Sequence, residues 1–573
     1  MSVPTAELSA RAATARRRPA AAALTRGLAG GRLYLALGGL ALVIAGLSLL
    51  IPSTPSYDPW SWLVWGREIV HLDLHTTGGP TWKPLPVIFT TVLAPFGKAA
   101  PDLWLIVARA GALMAVAMTF KLATRLTGRM AGLWRTHAGE AGEDVSASAG
   151  STGEDTRAPA GALVPVLLAG VIAAGSLVVS RGFINGNALG YSEGLMTALV
   201  LIAIDRHLDG HRRQAFAVGF VAALDRPELW LLWGPFGLYL WWRDPGARRL
   251  VIGLFALIPV LWFGPELWGS GHLFRGVSRA QQPRSNSPAF AKCPFCTELA
   301  GHAWPTVLLR VKVVAGVAMA VAALGLWRTR RSRRGGGPLG GSRRAGAALL
   351  AMGVAGFGWW VLISVLTQAG FSGNDRYLVL GAALVAVAGG VGWGWAAGAL
   401  GAVLGRLLVP LSAGRLRSPV RIAVPLLGGV GALAAAAVFM ALPPWIGANV
   451  TDVQATHRAL VYQGHLRREM ARAVRDLGGS SGVLGCGTVM TEGFQVPMLA
   501  WTLGVHTVRV DASPLKGGPL PPPPDVIFQV RAQHHASLLP RVSDWPTVSY
   551  HRVPLAGVHA FRVYSRCAGR LGG

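Results

Sequence analysis

Long apolar stretches constrain this chain more than any other feature. They recur at 33–52, 103–124, 161–180, 191–207, 214–224 with 229–242, 250–268, 307–327, 345–368, 377–400 and 420–442. An α-helix needs about 20 apolar residues to cross a bilayer. With 52% hydrophobic and only 14% charged residues, the chain cannot hide so much apolar surface in one soluble core. The expected fold is a polytopic α-helical membrane protein of about eleven transmembrane helices, counting 214–224 and 229–242 as two short ones.

The net charge of +28 would point to nucleic acid in a soluble protein, but here the basic residues gather in short loops between apolar runs. Arg125, Arg129 and Arg135 form one such group, followed by Arg206, Arg212 and Arg213, then Arg243, Arg248 and Arg249. Arg328, Arg330, Arg331, Arg333, Arg334, Arg343 and Arg344 form the next, and Arg406, Arg415, Arg417 and Arg421 the last. They alternate with outer loops as the positive-inside rule requires, so the charge reads as topology and no nucleic-acid partner is expected. Residues 1–32, with Arg11, Arg16, Arg17, Arg18 and Arg26, read as a basic cytoplasmic tail before an uncleaved anchor in the inner (plasma) membrane. The insertion 136–160, rich in Gly, Ser, Ala, Glu and Asp, reads as a disordered cytoplasmic linker. Residues 33–445 form the transmembrane domain. After Pro443-Pro444-Trp445 the composition shifts, and 446–573 reads as a small C-terminal α/β extracytoplasmic domain.

Polar chemistry concentrates in the first outer loop, 53–102, where YDPWSWLVWGREIVHLDLHTTGGPTWKPLP places carboxylates, a lysine and an arginine among tryptophans. Asp58 should sit just outside the bilayer. One reading makes Asp58-Pro59 a helix start, since Asp before a first-turn Pro caps well. The other makes it a catalytic carboxylate. Residues 85–97, broken by Pro84, Pro86 and Pro95, are too short to span and read as a second juxtamembrane helix. Trp60, Trp62, Trp65 and Trp82 are expected at headgroup depth as an interfacial belt.

Tyr57-Asp58, then Arg67-Glu68, then Trp82-Lys83-Pro84-Leu85, all following the first span, resemble the GT-C superfamily of membrane glycosyltransferases. The likeness is greatest to protein O-mannosyltransferases and lipid A aminoarabinose transferases. It covers the membrane half of the chain, and departs from the family where Pro59 replaces a second acid and Lys83-Pro84-Leu85-Pro86 replaces Lys-Pro-Pro-Leu. The resemblance implies Asp58 as the catalytic acid, Arg67 and Glu68 as its supporting pair, and a sugar carried on a polyprenyl phosphate as donor. Mannose or arabinose are the sugars it suggests.

Further candidates follow in chain order. Glu193, in Tyr191-Ser192-Glu193, is a carboxylate at the mouth of a span. It is either a snorkelling helix cap or a second acid of the site. Asp225-Arg226-Pro227-Glu228 divides two short apolar runs on the outer side. Arg226 is the first phosphate-binding candidate there, with Asp225 or Glu228 holding its fork. Arg376-Tyr377 precedes a span and resembles an Arg-Tyr of the same transferases, so Arg376 becomes a phosphate or sugar ligand with Tyr377 in support, or else an interfacial anchor. The loop 268–305, with Arg275, Arg279, Arg284 and a Cys293-x-x-Cys296, reads as a mobile cover. His302 is the only near partner for that CxxC, so a local disulfide or free thiols are favoured over a metal. Cys486 and Cys567 could close a disulfide in the last domain.

In the last domain, 450–477 reads as an amphipathic helix. Strands are expected at 482–486, 506–511, 525–531, 547–552 and 558–565, with helical pieces at 498–503 and 536–539. Gly485-Cys486-Gly487 lacks the spacing of a phosphate loop, and His534-His535 has no metal partners.

These residues point to a transfer reaction on the outer face, onto a cell-envelope glycan, lipoglycan or protein acceptor among the membrane lipids. Asp58 would act as base, Glu193 would position the acceptor or sugar, and Lys83, Arg226 and Arg376 would surround the leaving phosphate. Neither a cofactor nor a metal is expected. Two other readings remain: a lipid or solute transporter or flippase, and an inactive scaffold of the same architecture.

Overall fold

The computed structural model describes residues 31–130, 160–283, 287–331, 340–412, 420–441, 453–514, 518–531, 533 and 536–567. The amino-terminal arginines, Arg135, residues 136–159 of the insertion, Arg284, Arg333, Arg334, Arg415, Arg417, Pro443-Pro444-Trp445 and His534-His535 lie outside the described residues.

Each apolar run is helical. The chain passes through α1 (Gly31–Leu50), α2 (Tyr57–Val70), α3 (Pro84–Leu93), α4 (Ala100–Met130), α5 (Ala160–Val178), the short α6 (Phe183–Ala188) and α7 (Glu193–Leu208). It continues through α8 (Arg212–Ala223), α9 (Trp230–Arg243), α10 (Arg248–Ser270), α11 (Arg275–Ala280), α12 (Pro294–Cys296), α13 (Leu309–Arg331), α14 (Gly340–Gln368), α15 (Val379–Ser412) and α16 (Val420–Ala441). Among the described residues, six helical stretches are long and apolar enough to cross a membrane: Gly31–Leu50, Pro84–Arg129, Pro245–Ser270, Leu309–Arg328, Ser342–Gln368 and Asp375–Leu404. The helices at Leu163–Val178 and Gly429–Ala441 are apolar but shorter.

Burial sorts these helices into an axis and a rim. In Asp375–Leu404 94% of the most apolar window is buried, against 11% in Gly31–Leu50 and 17% in Pro245–Ser270. The α15 helix is therefore the centre of the bundle, and α1 and α10 turn apolar faces outward. Small residues allow the close approach: a Cβ on Gly389 or Gly390 would strike the backbone of α13 or α5.

Between the first two spans the chain folds back along the bundle as α2 and α3. Lys83 caps α3, prolines occupy its first turn, and Gly97, with φ of 53°, reverses the chain into α4. The tryptophans correct the sequence-based expectation. Trp60, Trp62, Trp65 and Trp82 are at most 4% exposed, so they form an interior core and no lipid-facing belt. The reason is the last domain, which covers α2. Two of the four indole N–H groups donate to backbone carbonyls, Trp65 to His75 and Trp82 to Leu261.

That domain opens with the amphipathic α17 (Val453–Asp476). It continues through α18 (Gly479–Cys486), β1 (Val489–Thr491), α19 (Val496–Leu503), β2 (Val510–Ala512), β3 (Val526–Arg531), β4 (Leu538–Leu539), β5 (His551–Val553) and β6 (Phe561–Ser565). The sheet order is β2-β1-β3-β6-β5, parallel on the β2-β1-β3 side and antiparallel on the other, with β4 pairing the end of β3. Two expectations are overturned. Residues 479–486 are a helix that buries Val483, with the first true strand following at 489, and 538–539 pair as a short strand. Disulfides join Cys486 to Cys567 and Cys293 to Cys296.

The domain and the juxtamembrane helices share one hydrophobic core. Trp60, Trp62, Trp65 and Val87 pack with Leu466, Met470, Leu499 and Leu503. Arg467 pairs with Asp102, and the Arg67 guanidinium lies over the Trp501 ring.

Candidate active site

The first turns of five helical segments meet at one point. Asp58 stands in the first turn of α2, Lys83 caps α3, and Glu193 opens α7. Arg226 caps the turn leading into α9, and Arg376 lies in the turn leading into α15. Helix starts carry partial positive charge and unpaired N–H groups, so their convergence favours anions. Basic residues stand at the far ends of the same bundle, with Arg125 and Arg129 closing α4, Arg206 near the end of α7, and Arg243 closing α9.

Glu193 is the hub. Its Oε1 lies 3.0 Å from Lys83 Nζ, 3.5 Å from Arg226 Nη1 and 3.8 Å from Arg376 Nε. Asp58 Oδ2 accepts a hydrogen bond from Arg376 Nη2 at 2.6 Å. Glu228 Oε1 accepts from Arg226 Nη2 at 2.7 Å, and Asp225 Oδ2 lies 3.8 Å from Lys83 Nζ. Two tyrosines complete the box: Arg226 stacks over Tyr377 at 3.7 Å and Arg376 over Tyr191 at 3.8 Å. Stacking fixes the planes of both guanidinium groups while leaving donors free along their edges.

Four carboxylates thus face three cations. Burial pushes the Asp225 carboxyl up, towards its neutral form. For Lys83, burial works against the charge, but Asp225 and Glu193 outweigh it and raise the ammonium above the usual lysine range. Burial likewise opposes the Glu228 charge, and Arg226 overcomes it, holding that carboxyl below its usual value. Several buried atoms here have no hydrogen-bond partner among the described residues, Arg376 Nη1 and Glu193 Oε2 among them, and the Asp225 carboxyl has only Ser192 and, at 3.8 Å, Lys83 beside it. Buried polar groups are rarely left so, and an unpaired guanidinium nitrogen in this cluster marks a place where a polar ligand would be accepted.

The structure therefore brings together Asp58, Lys83, Glu193, Arg226, Arg376 and Tyr377. It sets Arg67 and Glu68 elsewhere. Arg67 donates to the carbonyls of Trp501 and Val505, and Glu68 accepts from His506 and from the His75 backbone, so the pair fastens α2 to the last domain.

Around the cluster the start of the 268–305 loop is tied to the first outer loop through Arg275. The Arg275 guanidinium donates to the carbonyls of Thr77, Gly78, Gly79 and Pro80, the approach to Lys83, and lies 3.6 Å from Glu266. Beside it, His302 holds Asp375 at 2.8 Å and Arg181 holds the same carboxylate at 3.0 Å, one residue before Arg376. Sequence reasoning missed Glu266 and Glu298. Both are buried acids, and Glu266 stands inside the apolar run 250–268, the sequence signal that would have raised it.

No family model and no curated protein matches the chain. Among solved structures it is similar to the crystal structure of ArnT from Cupriavidus metallidurans bound to undecaprenyl phosphate, at 13% identity and a TM-score of 0.45, over 94% of this chain and 98% of that one. The apo state of the same protein gives 14% identity and the same TM-score. It is also similar to the archaeal oligosaccharyltransferase AglB from Archaeoglobus fulgidus in complex with an inhibitory peptide and a dolichol-phosphate, at 12% identity and a TM-score of 0.39, over 84% of this chain and 64% of that one.

Proposed function

We propose that this chain is a membrane glycosyltransferase that moves a sugar from a polyprenyl-phosphate donor to a cell-envelope glycan, lipid or protein acceptor on the outer face of the membrane. One observation carries the reading: three cations lie 3.0, 3.5 and 3.8 Å from a single buried carboxylate oxygen, with Asp58 bonded to one of them. Such a box matches a phosphate that gains charge as its sugar departs.

In this mechanism Asp58 takes the proton of the acceptor hydroxyl. The hydroxyl oxygen attacks the anomeric carbon from the side opposite the phosphate, and the carbon–oxygen bond to the phosphate breaks with its electron pair passing to the phosphate. Lys83, Arg226 and Arg376 stabilise that charge, and the anomeric configuration inverts. Glu193 keeps the three cations in place before the donor arrives and positions the sugar afterwards.

The arginine-rich helix ends opposite the cluster support a cytoplasmic amino terminus, with residues 446–573 outside and the first outer loop, 53–102, as the catalytic loop. A flippase would need charges along a path through the membrane, and the cluster instead sits at the starts of helices.

The test is to incubate the purified protein and its Asp58→Asn variant with radiolabelled polyprenyl-phosphate sugars and an envelope acceptor. Label should pass from lipid to acceptor, and the substitution should slow transfer by about 10²–10⁴-fold while leaving donor binding intact. A fully active variant would remove Asp58 as base. Vectorial lipid movement in liposomes with no transfer from any donor would favour the flippase.

A further inference from the structure

A second polar cluster lies ten residues, or about 15 Å, along α2 from Asp58, where the first outer loop meets the last domain. Glu68, only 4% exposed, is its anchor. One oxygen accepts from His506 Nδ1 at 2.8 Å and the other from the His75 backbone N–H at 2.9 Å. Leu72 adopts a left-handed φ of 56°, rare for a residue with a side chain, and the chain then presents Asp73 to the same histidines. Asp73 Oδ2 lies 3.2 Å from His506 Nε2, and Oδ1 lies 3.9 Å from His75 Nδ1. The two imidazole rings are stacked, with centroids 4.3 Å apart and planes 30° apart.

The tautomer follows from these contacts. With Nδ1–H of His506 directed at Glu68, a neutral ring turns its Nε2 lone pair towards a carboxylate oxygen. Two lone pairs at that distance repel unless a positive centre lies between them. A proton on His506 would supply one, but would leave the stacked His75 unused. A metal ion would use all three groups, whose ligating atoms lie within 4.8 Å of one another. A buried carboxylate fixing the far nitrogen of a ligating histidine is the usual support of such a centre.

We propose that Asp73, His75 and His506 bind a divalent transition-metal ion of the zinc type, with Glu68 orienting His506, and that the ion fastens the first outer loop to the last domain. Two imidazoles and one carboxylate suit zinc, cobalt or nickel better than magnesium or calcium, which prefer an all-oxygen shell. Sequence reasoning expected no metal because the third ligand is more than 400 residues away from the other two. The inference is independent of the transferase reading, since its readout is metal uptake.

The experiment uses tag-free full-length protein in detergent, stripped with a chelator and titrated with Co²⁺ and then Zn²⁺. One equivalent of Co²⁺ should bind with a visible ligand-field spectrum and be displaced by Zn²⁺. His75→Gln and Asp73→Asn should each weaken binding at least tenfold, and Glu68→Gln should weaken it 10–100-fold. Because the side chains of His75 and Asp73 are 46% and 64% exposed, both variants should unfold in chelator at the same temperature as the parent and lose only the rise that zinc gives. Absence of stoichiometric uptake, or equal uptake by parent and variants, overturns the proposal.

Discussion

Substituting the hub of the cation box gives the sharpest test of its electrostatics. Glu193→Gln keeps the side chain's shape and removes one charge from the cluster. Each of the three cations would still keep an acidic neighbour, Arg376 beside Asp58, Lys83 beside Asp225 and Arg226 beside Glu228, so the protein should fold. What changes is the welcome for an anion. A lipid phosphate touching the same three cations would sit about 6 Å from the Glu193 carboxylate. At an effective dielectric constant of about 20 the repulsion between the two is about 2.8 kcal/mol, and about 0.7 kcal/mol in fully water-like surroundings. Removing it should tighten polyprenyl-phosphate binding by about 3- to 100-fold, while turnover falls because product leaves slowly and the sugar loses its guide. Binding can be followed with a fluorescent polyprenyl phosphate on protein in lipid nanodiscs, beside single-turnover and steady-state transfer. Weaker phosphate binding in a variant that melts normally would refute the reasoning, since it would make Glu193 a donor ligand and not a competitor for the cations.

Three further outcomes are expected. Burial raises the Glu298 carboxyl to about 7, so the folded protein holds a proton that the unfolded chain releases; stability should fall as pH climbs from about 4.5 to 7, and Glu298→Gln should flatten that slope in thermal unfolding. The Cys486–Cys567 bridge spans 81 residues, and the chain-entropy relation puts its loss at about 4.5 kcal/mol, so Cys486→Ser with Cys567→Ser should expose the last domain to proteolysis well below the parent's melting temperature. Arg275→Lys, which cannot fan out to four carbonyls, should lower kcat/KM by about 10- to 100-fold through displacement of Lys83, whereas unchanged kinetics would make the clamp irrelevant to the site.

Much of this architecture was legible because lipid imposes strict terms. A helix must be long and apolar to cross, so the runs could be read directly. A charge at the end of such a run is costly enough to stand out, which singled out Glu193 and drew the eye to Asp58 and Arg226, while Lys83 and Arg376 were raised by their resemblance to membrane glycosyltransferases. Other features depend on partners that no local pattern reveals. Arg67 and Glu68 read as site residues through the resemblance to membrane glycosyltransferases, yet their contacts are Val505 and His506, 438 residues further on in each case. The tryptophans of α2 matched an interfacial belt in composition, and only the covering domain turns them into core. Strands of three residues, such as β1, carry too little alternation to be seen, and Gly479–Cys486 is helical despite its glycines and serines.

The shared core between α2 and the last domain also sets an order of manufacture. The loop bearing Asp58 emerges from the ribosome within the first hundred residues, whereas Leu466, Met470 and Leu499, against which its tryptophans pack, are among the last quarter to be made. A nascent chain therefore carries the proposed reaction centre unsupported until its last domain has been made and has closed over α2. Completion of synthesis becomes a checkpoint: a protein truncated after α16 would bring every proposed reacting side chain to the membrane and still lack the surface that holds the loop in shape.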